Sequence, residues 1–301
     1  MPDLDKLTTE KRNEGTMNLD EMSIYEIIRV MNDEDQKALD AVRDALPQIE
    51  KVVKVTTKCL KNKGRIIYIG AGTSGRLGVL DAAECPPTFG VSYDTVVGII
   101  AGGEKAFLKA KEGAEDDTNL GEEDLIKINL RPKDVVIGLA ASGRTPYVIG
   151  ALRYAEKAGC KTVSISCNEN TDISREADHP IELLTGPEVL TGSTRLKAGT
   201  AEKMVLNMIS TASMVGIGKA YQNLMVDLRQ TNKKLVTRAE NIVMEAVGCS
   251  RKDAKLALKD TGGEAKLAIT KMLLDCDIES ARKSLERAHG KVKVAVTNGP
   301  T

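Results

Sequence analysis

The chain lacks tryptophan, has only two histidines (His179 and His289), and aromatic residues make up 3% of its 301 residues. Lys plus Arg and Asp plus Glu both total 43, so the formal net charge is zero. Nucleic-acid binding needs positive charge and usually stacking surfaces, so that class of partner is disfavoured. With two histidines, a metal site or a Ser-His-Asp triad is disfavoured too. Acid–base chemistry must then fall mainly on carboxylates, and no organic cofactor is implied.

Long apolar runs and paired cysteines are also missing. The six cysteines are scattered without a C-x-x-C pair, which predicts reduced thiols and no zinc site or disulfide framework. No apolar run reaches the roughly 18 residues of a membrane-spanning helix, and the polar residues 1–6 do not have the pattern of a signal peptide. We therefore expect a cytoplasmic protein without a membrane partner.

Hydrophobic patterning divides the chain into three parts, residues 1–55, 56–220 and 221–301. The first part is patterned as helix, which Pro47 is expected to kink or split. The second predicts an α/β fold, a parallel sheet covered on both faces, from β-branched runs separated by helix-length segments: 66–69, 96–100, 135–139 and 162–166. The third predicts a small helical domain with helices at 235–247, 250–260, 263–274 and 277–288.

One tripeptide occurs twice in the same setting, as Ser74-Gly75-Arg76 and Ser142-Gly143-Arg144. Each copy follows a short apolar run and leads into a helix-like stretch. Small residues, hydroxyls and the free N–H groups of a first helical turn suit a bound anion. At matching strand ends, both turns would lie at the carboxyl edge of a parallel sheet. The repeat predicts a site for a phosphorylated small molecule, in which the two arginines either pair with the anion or serve the structure.

A dinucleotide site is the competing interpretation, because Gly70-x-Gly72-x-x-Gly75 follows a predicted strand. That site needs an acidic residue for the ribose at the end of the next strand, where Ala101-Gly102-Gly103 stands instead. Paired hydroxyl turns also suit a terminal phosphate better than a pyrophosphate. The phosphate interpretation is therefore favoured.

A third loop and two acidic clusters complete the candidate chemistry. The loop at 186–197 holds Glu188, Ser193 and Thr194 before a long predicted helix, and either hydroxyl could simply cap that helix. Glu84 precedes a double proline that should end its helix, and Glu115 lies in the acidic cluster at 112–117. Such clusters are most often solvated helix ends. The scarcity of histidine nevertheless makes a glutamate whose pKa is raised by burial the expected proton-transfer group.

These motifs together closely resemble the N-acetylmuramic acid 6-phosphate etherase family, over nearly the whole chain. The segments that carry the resemblance are 31–35, 69–78, 81–88, 112–116, 141–147, 191–193 and 197–201. The resemblance implies a sugar isomerase (SIS) three-layer sandwich, a ubiquitin-associated-type helical tail and a cytoplasmic enzyme of cell-wall recycling. That enzyme would convert N-acetylmuramic acid 6-phosphate to N-acetylglucosamine 6-phosphate and D-lactate.

The resemblance further implies that Glu84 is the general acid and Glu115 the second acid/base. Glu84, Glu115 or Glu188 is expected to remove the C2 proton. The expected substrate-binding residues are Thr73, Ser74, Gly75, Ser142, Gly143, Thr145, Glu188 and Ser193.

The spacing of Ser74 and Glu84 bears on assembly. Ten helical residues separate them by about 15 Å, more than a hexose phosphate spans, so we expect a homodimer with each site near the subunit interface. Two alternatives stay open on the fold alone. One is a non-catalytic phosphosugar sensor; the other is an aldose–ketose isomerase with Glu188 as its base.

Overall fold

The computed structural model describes residues 7–109, 111, 113–230 and 232–300. Residues 1–6, which carry the expectation about a signal peptide, lie outside the described residues. Glu112, which belongs to the acidic cluster at 112–117, lies outside them too. The chain forms two compact units. The first comprises the chain up to Ala83 together with Asp94–Ser210, and the second comprises Glu84–Tyr93 together with the chain from Thr211. The three-part division stays a prediction.

The first unit is built on a five-stranded sheet of order β2-β1-β3-β4-β5, in which every pair is parallel. The strands are β1 (Ile66–Gly70), β2 (Val96–Ile100), β3 (Val135–Leu139), β4 (Lys161–Ser166) and β5 (His179–Glu182). The predicted parallel sheet is thus confirmed. The fifth strand was not predicted, because it contains Pro180 and buries one apolar side chain, Ile181. An edge strand tolerates proline, which has no N–H to donate to a second neighbour.

Among the described residues, eight α-helices belong wholly or partly to this unit, and helices cover both faces of the sheet. They are α1 (Ile24–Asp44), α2 (Leu46–Lys61), α3 (Gly72–Phe89), α4 (Lys105–Leu108), α5 (Thr118–Lys127), α6 (Pro146–Lys157), α7 (Asp172–Arg175) and α8 (Lys197–Gly216). The sheet face with Ile67 and Val136 forms a buried core with α5 and α6. On the other face, Gly78 of α3 lies so close to Tyr68 that an added Cβ would be 2.9 Å from the tyrosine Cβ.

Two prolines test the helix predictions in opposite ways. Pro47 lies in the first turn of α2, and the break from α1 falls at Ala45, so the predicted split is confirmed. The double proline, in contrast, does not end α3, which continues through Pro86 and Pro87 to Phe89. Both prolines lie in the last turn and a half. Gly90 ends the helix instead, with a φ of 64° and its N–H donated to the Pro86 carbonyl.

The second unit is mainly helical, with a two-stranded ribbon of β6 (Ala220–Tyr221) and β7 (Leu224–Met225). Its helices are α9 (Lys233–Val247), α10 (Arg251–Asp260), α11 (Ala265–Leu274), α12 (Ile278–Arg287) and α13 (Val292–Asn298). Their buried faces form one apolar core, and Lys266 pairs with Asp227 at 2.6 Å. The first four of these helices match the predicted ones, and α13 was not predicted. Among the described residues, no helix combines the length and apolar character needed to cross a membrane.

Candidate active site

The two repeated turns begin at the same level of neighbouring strands. Gly70, the last residue of β1, is paired with Leu139, the last residue of β3. The first turn passes directly into α3, and the second runs from Ala140 to Thr145 before α6. Both turns therefore lie at the carboxyl edge of the sheet, where open α/β folds bind their ligands.

Glycine is required in both turns for steric reasons. A Cβ on Gly75 would lie 2.6 Å from the Gly70 carbonyl oxygen, so glycine lets α3 pack against the end of β1. Gly143 has a φ of 74°, and a Cβ there would lie 2.3 Å from Cβ of Thr171. Both glycines donate their N–H within their own turn, to the carbonyls of Ala71 and Ala140. They shape the turns, and their N–H groups are already engaged.

An open cleft of about 450 Å³ adjoins the second turn. It brings together three predicted site residues, Glu115, Ser142 and Thr145. Its full lining is Leu7, Glu10, Glu115, Asp116, Ser142, Arg144, Thr145, Pro146 and Asp172. Four carboxylates and one guanidinium, that of Arg144, line this space.

The N-terminal segment forms one wall of this cleft, which sequence reasoning missed. Asn168, just after β4, accepts hydrogen bonds from the Thr8 hydroxyl at 2.8 Å and the Thr9 N–H at 3.2 Å. Its amide donates to the Ala141 carbonyl at 3.1 Å. The buried Asn168 thus ties the start of the described chain to the second turn. A polar residue two positions after a buried parallel strand was the available signal.

The first turn faces α8. Ser74 is buried, and its hydroxyl is 3.0 Å from Oε1 of Glu202. Thr73 is half-buried, and an added Cβ on Gly199 of α8 would lie 3.5 Å from its methyl carbon. Burial raises the pKa of Glu202 to about 8, although the hydrogen bond to Ser74 opposes the shift. The structure therefore places a carboxylic acid that is mostly neutral at pH 7 behind the first turn.

Glu188 holds the start of α8. Its two carboxylate oxygens accept the N–H groups of Lys197 at 3.2 Å and Ala198 at 3.0 Å. The capping role that the sequence left open for Ser193 or Thr194 is thus filled by Glu188. Burial raises the Glu188 pKa against the effect of these hydrogen bonds. The adjoining Lys197 side chain, 1% exposed, pairs with Glu34 of α1.

The two glutamates predicted to move protons are both exposed in the single chain. Glu115 lies on the loop before α5, and its carbonyl accepts the Tyr147 N–H at 3.0 Å, which fixes this loop to α6. Glu84 belongs to the second unit. The sequence led us to expect a glutamate with a pKa raised by burial, and in this unit's candidate site those groups are Glu188 and Glu202.

The two repeated arginines have different surroundings. Arg76 donates from Nε to the Phe107 carbonyl at 2.8 Å and from an Nη to the Ala106 carbonyl at 2.9 Å. It therefore holds the short helix α4, which is the structural role that the sequence allowed. Arg144 lines the cleft with Ser142.

Comparison with known proteins identifies the fold. Residues 48–156 match the glucokinase regulatory protein N-terminal SIS domain family, and residues 119–212 match the SIS domain family. A phosphoheptose isomerase from Neisseria gonorrhoeae is similar in structure, with a TM-score of 0.50 and 17% identity. The match covers 64% of this chain and 98% of that chain. The α/β sandwich of SIS type implied by the resemblance is therefore confirmed.

Relatives of much higher identity define the family more closely. The N-acetylmuramic acid 6-phosphate etherase of Halalkalibacterium halodurans is 60% identical over 293 residues, covering 97% of this chain and 98% of that protein. The protein of the same name from Bacillus mycoides is 57% identical, covering 97% of this chain and 100% of that protein. Because the identity extends through both units, the chain belongs to the N-acetylmuramic acid 6-phosphate etherase family.

Proposed function

We propose that this protein cleaves the D-lactyl ether of N-acetylmuramic acid 6-phosphate, yielding N-acetylglucosamine 6-phosphate and D-lactate. The observation that carries the proposal is the identity of 57–60% over 97% of the chain to relatives named for that reaction. The two hydroxyl-bearing turns at the sheet edge support a sugar-phosphate substrate. The activity would belong to cell-wall sugar recycling in the cytoplasm.

The chemistry we propose is elimination followed by addition of water. Opening of the sugar ring exposes an aldehyde at C1, which acidifies the C2 proton. A base removes that proton, the bond between C3 and the ether oxygen breaks, and an acid protonates the departing lactate oxygen. Water then adds at C3 of the unsaturated aldehyde while C2 regains a proton. Carboxylic acids in distinct environments can supply all of these transfers.

We propose the following binding roles for the predicted site residues. We assign the phosphate to Thr73, Ser74, Ser142 and Thr145, with backbone N–H groups of the α3 first turn, whose orphan donors favour anions. Ser193 is half-buried in the loop before α8, and we propose that it also contacts the substrate.

The acid–base roles fall on two glutamates. We propose that Glu84 protonates the leaving lactate and that Glu115, in the cleft beside Ser142, activates water. Glu84 and Glu115 are favoured over Glu188 as the C2 base, because both oxygens of Glu188 accept backbone N–H groups.

We propose further that the enzyme acts as a homodimer with its site near the interface. In one chain Glu84 and Glu115 are exposed, whereas efficient proton transfer is helped by exclusion of water. The ten residues from Ser74 to Glu84 correspond to about 15 Å of helix, which is longer than a hexose phosphate. Glu84 of one subunit would therefore act on the substrate that the other subunit binds. Mixing Glu84→Gln subunits with Ser74→Ala subunits should then restore part of the activity. No restoration would contradict a shared site.

The proposed function is tested by incubating the purified full-length chain with N-acetylmuramic acid 6-phosphate and measuring D-lactate with a coupled dehydrogenase. We expect stoichiometric D-lactate and N-acetylglucosamine 6-phosphate. Binding without D-lactate would favour the sensor, and a ketose phosphate that retains its lactyl group would favour the isomerase. Either result would overturn the proposal.

A further inference from the structure

The carboxyl group of Glu202 has an unusual position behind the first hydroxyl turn. Glu202 is 1% exposed, and its Oε1 lies 3.0 Å from the Ser74 hydroxyl oxygen. Its other oxygen, Oε2, is buried and has no hydrogen-bond partner among the described residues. The contact joins residues 128 positions apart and crosses from α8 to α3. Neither the family resemblance nor the proposed mechanism uses this group.

The charge state of Glu202 decides which way this hydrogen bond runs. A carboxylate can only accept, so it would hold the Ser74 hydrogen inwards, away from any ligand. A neutral carboxylic acid can donate its own proton to the Ser74 oxygen, which leaves the Ser74 hydrogen free to turn outwards. A distance of 3.0 Å between the two oxygens suits either direction. Because a buried carboxylate with an unpartnered oxygen is costly, burial favours the neutral form.

We propose that Glu202 is a positioning residue which, as a neutral acid, donates to Ser74 and so makes the Ser74 hydroxyl a donor to the sugar phosphate. This role rests on the proposed placement of the phosphate at the first turn. It adds a feature that the proposed function does not contain, since phosphate binding becomes coupled to the proton on Glu202.

The sign of the coupling follows from the surroundings of Glu202. Burial raises its pKa to about 8, so its neutral fraction falls from about nine-tenths at pH 7 to about one-tenth at pH 9. The charge of Glu202 acts on the thiol of Cys167, the residue directly after β4, and burial raises the pKa of this thiol well above its usual range. Glu188 acts on the same thiol. A phosphate monoester is already a dianion above pH 7, because its second pKa is about 6.

The experiment measures binding of D-glucitol 6-phosphate to the full-length chain by calorimetry between pH 7 and pH 9. This open-chain probe has neither an aldehyde nor a lactyl group, so it cannot react. We expect its Kd to rise about tenfold over this range for the wild type. Glu202→Gln keeps an N–H donor towards Ser74 and lacks the proton that titrates, so the rise should disappear. Cys167 and Glu188 are unchanged in this variant and serve as internal controls.

A second variant keeps the test independent of how Glu202→Gln folds. Ser74→Ala removes the hydroxyl that Glu202 is proposed to orient. This variant should therefore bind the probe more weakly than the wild type at pH 7, with a higher Kd, and its Kd should not rise further towards pH 9. A flat wild-type profile, or an equal rise in either variant, would overturn the inference, as would absence of probe binding at every pH. D-lactate release at pH 7 is measured in parallel. If the tenfold rise is present without lactate release, the positioning role stands and the proposed function fails.

Discussion

Replacing Glu202 with glutamine should change how the stability of the protein depends on pH. Folding buries this carboxyl and raises its pKa to about 8, whereas in the unfolded chain it ionises at about 4.3. Between those two values the native state holds a proton that the unfolded state has released. The contribution of Glu202 to the free energy of unfolding therefore falls as the pH rises from about 4.5 to about 8, and is constant above that.

The magnitude follows from the same pKa values. At about 1.4 kcal/mol for each tenfold change in protonation equilibrium, the loss across this range has an upper bound of about 5 kcal/mol. Glutamine has nearly the same shape and does not titrate. The stability of Glu202→Gln relative to the wild type should therefore increase steadily from pH 5 to pH 8. The change should be on the order of several kcal/mol.

Urea unfolding followed by far-ultraviolet circular dichroism at pH 5, 6, 7 and 8 measures this difference. Other buried carboxyls, such as Asp81 and Glu188, are present in both proteins and cancel in the comparison. Glu122→Gln is the matched control, because Glu122 is exposed on α5. A difference between Glu202→Gln and wild type that stays constant from pH 5 to pH 8 would refute the reasoning that burial keeps Glu202 neutral.

Three further predictions concern the fold and the site. Gly75→Ala should destabilise the protein by about 1–3 kcal/mol in thermal unfolding, because its Cβ would clash with the end of β1. The control Gly199→Ala should be tolerated, since its Cβ would make ordinary contacts. Equal effects of the two substitutions would contradict the packing argument. Asp134→Asn should cost about 3–5 kcal/mol in urea unfolding at pH 7, since it leaves the Arg65 and Arg131 guanidiniums without their buried carboxylate, and a loss below 1 kcal/mol would contradict it. Glu84→Gln and Glu115→Gln should each reduce the rate of D-lactate release by about 10²–10⁴-fold, because each removes a proposed acid–base group. The melting temperature should stay nearly unchanged, because both side chains are exposed. Near-normal turnover would refute the assigned role.

The sequence predicted the parts of the fold that depend on local pattern. Strands β1 to β4 are runs of β-branched residues, and their alternation with helix-length segments was enough to predict the parallel sheet. Strand β5 was not predicted, because its proline and polar residues leave it without a run of β-branched residues. The course of α3 through Pro86 and Pro87 was also missed, since the local rule predicts that a double proline ends a helix.

In the candidate site, too, the local features could be predicted from the sequence and the contacts between distant residues could not. The two hydroxyl turns could be predicted because each lies beside its own strand. The partners of these turns could not: Ser74 meets Glu202 across 128 positions, and Asn168 meets Thr9 across 159. Such contacts depend on how helices pack onto the finished sheet, which no short-range pattern encodes. The glutamates whose pKa is raised by burial are Glu188 and Glu202, whereas the predicted acid–base residues Glu84 and Glu115 are exposed in one chain and their roles stay a prediction.

The central claim is that the ether is cleaved between C3 of the sugar and the lactyl oxygen, by elimination and addition of water. The most direct measurement is mass spectrometry of both products after turnover in water enriched in ¹⁸O. We predict one ¹⁸O atom at C3 of N-acetylglucosamine 6-phosphate, and D-lactate whose hydroxyl oxygen is unlabelled. Label in the lactate hydroxyl, with none at C3, would show that water attacks the lactyl carbon and would contradict the account.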